Sequence, residues 1–455
     1  MTLPLPAASV GVETDGRRAT LRKVAASSFL GNFIEWFDYA SYSYFATVIA
    51  TVFFPSSNPT VSLMETFGVF ALSFVLRPLG AMFWGSRGDR RGRKSTLAVS
   101  ILLMSGASFL IGCLPSYATI GILSPLLLLV LRMAQGFSAS GEYAGAATFL
   151  GEYAPTSHRG FYCSLIPAST AVGLLAGSLS ATLMTSLLSS EALSSWGWRI
   201  PFLLAGPLGI IVHYIRTRLA DSPVYRDMTD ALRNDAETEG SSGAAGGSPT
   251  SATPLRVLFR DHRRSLVISF GACMLNAVGF YTVLTYLPTY LSEVVHMKAA
   301  ESSMITTICL VAYVFMVFGM GRLSDRVGRR NVLLAACIAF IALTIPAFLV
   351  LNTSSFWAVL AVELCLSCAL TANDGTLSSY LTETFPTSIR FSGFALSFNL
   401  ANAIFGGTAS FVATWLIWIT GSTMAPAYYM VAVSVIALIA MVASHENASK
   451  DLSSI

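Results

Sequence analysis

The 455 residues are 54% hydrophobic and only 11% charged, which is too apolar for a soluble chain of this length. About 20 mostly apolar residues cross a hydrocarbon core of about 30 Å, and runs of that kind are predicted at 25–50, 62–85, 95–114, 120–147, 160–188, 199–218, 264–291, 300–321, 331–351, 355–383, 391–418 and 425–443. None alternates apolar and polar residues as a barrel strand does, so the expected fold class is an all-α membrane protein of twelve spans.

Residues 1–24 are polar and include Arg17, Arg18, Arg22 and Lys23. The run that follows is too long for a signal-peptide core and lacks a small-residue cleavage pattern, so it is expected to remain as span one. Glu35 lies about ten residues inside it, roughly 15 Å deep. Asn32, Glu35, Tyr39 and Tyr42 fall within about 80° of arc, with Asp38 some 40° beyond, so one face is polar. Two carboxylates this close at mid-membrane do not comfortably both ionise, and one is expected to hold a proton. The five histidines, at 158, 213, 262, 296 and 445, lie in loops or near span ends. Glu35 and Asp38 are therefore the proton-coupling candidates, with Arg132 of span four as the cation that tunes them. The plainer alternative is a buried ion pair that only holds spans one and four together.

Residues 85–94 read GSRGDRRGRK and connect spans two and three. Gly92-Arg93-Lys94-Ser95 has a superficial likeness to a phosphate-binding loop, but an Arg separates Gly from Lys and no strand precedes it. ATP hydrolysis is excluded on this reading; no cofactor is expected, and uphill work must draw on an ion gradient. Span four adds Gln135 and Glu142 to Arg132, and charges at such depth normally face a bundle interior or a hydrated cavity. After it comes EYAPTSHR, from Glu152 to Arg159. The central linker, 219–263, contains NDAETEGSSGAAGGSPTSATP, which cannot bury a core and reads as a tether. It divides an N-terminal bundle, 25–218, from a C-terminal bundle, 264–443.

In the second half, span seven offers Asn276, Phe280 and Tyr281. Residues 321–330, GRLSDRVGRR, repeat the pattern of 85–94, and ETFPTSIR, from Glu383 to Arg390, repeats that of 152–159. Two unrelated loops duplicated at nearly one spacing imply two pseudo-symmetric six-helix bundles. Span ten carries Glu363, without a role, and Asp374. Its Cys365-x-x-Cys368 has no second pair, so no metal site is expected. A short tail, 444–455, completes the chain. Lys and Arg cluster on the side of the termini, and only Arg199 and Lys298 fall in the opposite connections. The termini are thus expected to be cytoplasmic, and the net charge of +4 is a topology signal rather than a nucleic-acid footprint. Asp89 and Asp325 fit anions that meet helix N-termini across the bundle. The pairs Glu152/Arg159 and Glu383/Arg390, near the same ends of spans four to five and ten to eleven, are their natural partners, while Arg87, Arg90, Arg91 and Lys94 enforce topology.

Gly85, Asp89, Gly92, Arg93 and Lys94, with the copy at Gly321, Asp325, Gly328, Arg329 and Arg330, resemble the loop signature of the major facilitator superfamily. Arg132, Gln135 and Gly136 match its fourth-span signature. GNFIEWFDY at 31–39, LRPLG at 76–80, RMAQGFSASGEY at 132–143 and WGWRIPF at 196–202 are similar to the metabolite:proton symporters, which include carriers of proline and betaine, 2-oxoglutarate, citrate and shikimate. The resemblance implies that spans one, four, seven and ten line a central path and that the duplicated loops latch the cytoplasmic side. It implies no enzymatic activity, and a bacterial inner-membrane carrier, functional as a monomer, whose partners are lipid, a small solute and protons. With Arg132 as the one cation against Glu35, Asp38, Glu142 and Asp374, a zwitterion fits better than a di- or tricarboxylate. Arg132 would meet its carboxylate and an acid its cationic end, while Trp36, Tyr39 or Tyr281 would contact a quaternary ammonium. The expected substrate-binding set is Asn32, Trp36, Tyr39, Tyr42, Arg132, Gln135, Glu142, Asn276, Tyr281 and Asp374. GFYTVLTYLPTYLSE and MAPAYYMV look like the proline/betaine carriers, whereas NAIFGG at 402–407 looks like the citrate type. Import of a zwitterionic osmolyte with protons is thus the leading expectation, and import of an organic acid the alternative. An exporter would want the glycine-rich antiporter signature that span five lacks, and a non-transporting sensor would want a sizeable cytoplasmic domain.

Overall fold

A computed structural model describes residues 8–241, 253–353, 355–448 and 450–452, and among them there is no strand. Eleven helices are long and apolar enough to cross a membrane. With the helix that precedes them they are labelled α1 (Ala8–Tyr44), α2 (Val61–Arg91), α3 (Arg93–Cys113), α4 (Leu123–Tyr153), α5 (Thr156–Leu187), α6 (Ser190–Thr217), α7 (Arg263–Val294), α8 (Ala300–Val327), α9 (Arg329–Leu351), α10 (Phe356–Thr384), α11 (Arg390–Thr420) and α12 (Ala425–Val442). Asn32, Glu35 and Asp38 lower the hydropathy of α1, yet it packs along the length of α5 inside the first bundle and is the twelfth membrane helix.

The duplicated loops fold alike. Gly92 between α2 and α3 has φ of 93°, and Gly328 between α8 and α9 has φ of 100°, a backbone region that side chains with a Cβ rarely enter. This is why both copies of the motif carry glycine there. The two bundles meet along two seams, α2 against α11 and α5 against α8, which exchange under the duplication. Large side chains such as Phe315, Trp357 and Trp418 remain exposed on the perimeter, as a lipid-facing surface requires.

The linker is less of a tether than its composition suggests. Helices at Pro223–Ser241 and Pro254–Asp261 take up most of it, so the first residues of the expected tether are helical, and residues 242–252 lie outside the described residues.

Candidate functional site

Buried polar groups of the first bundle form three arginine–carboxylate pairs. Arg77 meets Glu35 at 3.1 Å, Arg132 meets Asp38 at 2.7 Å, and Arg216 is paired with Glu142. All six side chains are buried. The expectation of a single arginine in this region is therefore corrected. Arg77 precedes Pro78, where the helical hydrogen bonding of α2 lapses at Leu76, and its guanidinium lies across the bundle rather than along α2. Arg216 belongs to α6, where its side chain folds back into the bundle and donates to the carbonyls of Leu97 and Ser27 as well as to Glu142. Glu35 and Asp38 do not share one proton-bearing site; each has its own cation.

The pairs differ in what they leave free. Gln135 donates to Asp38 and to Ser108 and accepts from Arg132, while the Arg132 guanidinium lies 3.7 Å from the ring centroid of Tyr42. Tyr42 in turn donates to the Thr66 carbonyl at 2.9 Å. Asn32 donates to Ile166, Ser169 and Thr170 of α5. Asn32, Tyr42, Arg132, Gln135 and Glu142 thus tie helices together and line neither of the two cavities between the bundles. Asn32 and Tyr42 were expected in the substrate-binding set. The polar face of α1 is real, but much of it is turned to neighbouring helices.

The larger cavity has a volume of about 530 Å³, well within the range of small-molecule sites. Trp36, Tyr39, Phe70 and Phe74 form its wall from the first bundle and Tyr281 from the second. It extends to Tyr44 and Phe67, both exposed, on the side away from the termini. Arg77 does not line the cavity but lies behind its wall, 4.5 Å from the Phe74 ring centroid and 5.2 Å from that of Tyr39. The Nε of Arg77, the Oε2 of Glu35 and the hydroxyls of Tyr39 and Tyr281 are buried without a hydrogen-bond partner. Two π-helical turns, Tyr281–Tyr286 in α7 and Asn402–Gly406 in α11, border this cavity, a deformation often found at functional sites.

The smaller cavity, about 20 Å³, lies deeper, with Trp36 and Asn276 among its lining residues. There Asp374 accepts from Asn276 at 2.7 Å and from the Tyr313 hydroxyl at 2.5 Å. Tyr143 of α4 stacks on Phe398 of α11 with centroids 4.3 Å apart and closes the cavity across the bundles.

All eight expected gate residues come together on the side of the termini, in two clusters related by the duplication. Asp89 accepts from the N–H groups of Phe391 and Ser392 at the start of α11; Asp325 accepts from those of Gly160 and Phe161 near the start of α5. Glu152 holds Arg93 at 3.2 Å and Arg390 at 2.9 Å, and Glu383 holds Arg329 at 3.2 Å and Arg159 at 2.8 Å. Each cluster joins both bundles, so this side is closed. Sequence reasoning missed two caps: Asp221 accepts from the N–H groups of Arg93 and Lys94, and Glu446 from that of Arg330. Burial pushes the Asp221 carboxyl up, opposed by its hydrogen bonds to Ser222 and Lys94. Missed as well was the tail. Arg390 and Thr387 donate to the Leu452 carbonyl at 3.0 and 3.2 Å, Arg159 donates to that of Lys450 at 3.4 Å, and Leu452 is buried.

This pattern of crossed latches and paired bundles agrees with a match of residues 28–410 to the profile of the Major Facilitator Superfamily. The chain belongs to that superfamily. Across 99% of its length this superfamily member is 38% identical to a proline/betaine transporter of Salmonella typhimurium and 37% identical to one of Escherichia coli K12, covering 88% of each. It is 36% identical to a glycine betaine/proline/ectoine/pipecolic acid transporter of Dickeya dadantii, over 99% of this chain and 87% of that one. Among solved structures, the proton:xylose symporter XylE superposes with a TM-score of 0.76 at 16% identity, covering 96% of this chain and 98% of the other. FucP in its outward conformation gives 0.66 at 15% identity, over 93% and 98%. These two likenesses concern the fold. A major facilitator protein of this kind is a multi-pass membrane transporter and not an enzyme.

Proposed function

We propose that this transporter imports a small zwitterionic osmolyte of the proline or betaine class together with protons, by alternating access. The observation that carries the substrate class is the Arg77–Glu35 pair directly behind the aromatic wall of the larger cavity, with Arg77 against the rings of Phe74 and Tyr39. It has an unused donor at Arg77 Nε and an unused acceptor at Glu35 Oε2. A zwitterion presents the complement: its carboxylate meets the guanidinium, its ammonium the carboxylate, and a methylated or ring nitrogen packs against Trp36, Tyr39 and Tyr281. The names of the relatives, proline/betaine transporters along nearly the whole chain, support the same class. A di- or tricarboxylate is disfavoured because each of the three buried arginines already holds a carboxylate.

The clustering of Lys and Arg on the side of the termini supports a cytoplasmic placement of that side and of both termini. The latched state would then be open to the outside, ready to load. The test is uptake of labelled proline or glycine betaine into vesicles holding the purified protein, with the interior made alkaline. Accumulation above the external concentration that collapses when a protonophore dissipates the pH step is the expected result. Accumulation of 2-oxoglutarate or citrate in place of either would overturn the substrate class, and uptake that stops at the external concentration would overturn proton coupling.

A further inference from the structure

Of the mid-membrane carboxylates bordering the central path, Asp374 alone is held by neutral groups. Its oxygens accept from the Asn276 amide and the Tyr313 hydroxyl, and among the described residues it forms no ion pair with Lys, Arg or His. The groups facing it from the neighbouring helices are Tyr313 of α8, Asn276 of α7 and Tyr143 of α4, the last hydrogen-bonded to Ser378 at 3.2 Å; Cys273 of α7 lies near Tyr143. None of these supplies a positive charge. A lone carboxylate with 1% of its surface exposed would lack the compensation that a buried charge needs, whereas a carboxyl protonated on Oδ2 would donate to the Tyr313 oxygen, reversing that bond, while Oδ1 still accepts from Asn276. By the same logic Glu35 and Asp38 are poor proton carriers, since protonating either would strand the arginine beside it.

We infer that Asp374 is the residue that carries the coupling proton. It holds the proton on its carboxyl while the latches on the side of the termini are closed, and releases it when that side opens and water reaches the carboxylate. The cavity beside it, about 20 Å³, has the size of a single water molecule and brings Asp374 together with Trp36 and Phe280. Trp36 also walls the larger cavity, and its ring lies 5.1 Å from Phe280 and 6.3 Å from Tyr281. Solute seated against Trp36 and Tyr281 therefore covers the approach to Asp374 from the loading side. This separates proton entry from proton release and links both to solute occupancy. Tyr313 and Asn276 act as positioning residues that hold both carboxyl oxygens.

The inference rests on the symport reading above, and the experiment distinguishes failure of either. In vesicles with labelled proline as the probe, Asp374→Asn is expected to lose at least about tenfold in accumulation driven by a pH step, while exchange of external label for internal unlabelled proline at equal pH persists. Tyr313→Phe is expected to move the pH of half-maximal uptake without abolishing exchange. Independently of transport, the infrared band of a protonated carboxyl is expected in purified wild-type protein at neutral pH and is expected to lose the Asp374 component in Asp374→Asn, with buried, unpaired Glu363 supplying what remains. Accumulation at the wild-type level in Asp374→Asn, or a protonated-carboxyl band unchanged by that substitution, would overturn the assignment. Failure of wild-type protein to accumulate solute would count against symport itself, and the infrared band would still decide whether Asp374 holds a proton.

Discussion

Arg77, Arg132 and Arg216 look equivalent as buried cations, but their surroundings sort them: Arg77 packs against Phe74 and Tyr39, which wall the larger cavity, and the other two pack among helices of the first bundle. Arg132 is enclosed by Asp38, Gln135 and the Tyr42 ring, so its removal should act on stability. Breaking one side of a buried pair costs about 3–5 kcal/mol. Arg132→Gln should thus lower the thermal midpoint of the purified protein more than the double variant Arg132→Gln with Asp38→Asn, which removes both charges. Arg77→Lys keeps the charge but loses the planar fork; calorimetric binding of proline should weaken about tenfold, or about 1.4 kcal/mol, with little change in midpoint. Wild-type affinity in that variant would remove Arg77 from the binding role. At this scale the sequence was only partly legible. Counting charges along the chain gave neither Arg216, at the end of span six, nor Arg77 a part in the site, because linear position does not show where a long side chain folds back. Asp374 could be flagged from its depth, but its partner Tyr313 comes from another helix and left no local signal.

The duplicated loops carry most of the information at the level of helices. Gly92 and Gly328 are required by backbones that only glycine adopts at low cost, and Ala at either position should cost about 1–3 kcal/mol. A drop in thermal midpoint for Gly92→Ala matched by Gly328→Ala is expected, and no loss at either would contradict the strain argument. Asp221 and Glu446 cap equivalent helices, each from just beyond the sixth helix of its half. The pair shows that the duplication runs further than the motifs. Neither was legible, since an isolated acid in a polar segment has no distinguishing spacing. Helix α1 was found as part of the apolar run at 25–50 although Asn32, Glu35 and Asp38 lower its hydropathy, because those residues fall largely on one face and leave the rest of the run apolar. In the linker, a composition poor in apolar residues does not prevent a solvated helix from extending to Ser241, and residues 242–252 of the expected tether lie outside the described residues.

Across the molecule, the two latch clusters, each spanning both bundles, hold the same side shut, so weakening one should be partly masked by the other. Glu152→Gln combined with Glu383→Gln is expected to raise labelling of a cysteine introduced at Ser378 several-fold, in a background without the seven native cysteines. Each single change should give less than half of that increase. Equal labelling in single and double variants would show that the clusters do not share the load. The tail adds a practical corollary. Because the backbone at Lys450 and Leu452 is bonded to arginines of both bundles, an affinity tag or fluorescent partner fused downstream would tug on the very segment that seals the closed face. Fusions at the amino end should report native turnover, while carboxyl-end fusions should run at a different speed, and a side-by-side uptake comparison of the two would tell builders of biosensors which end to leave alone.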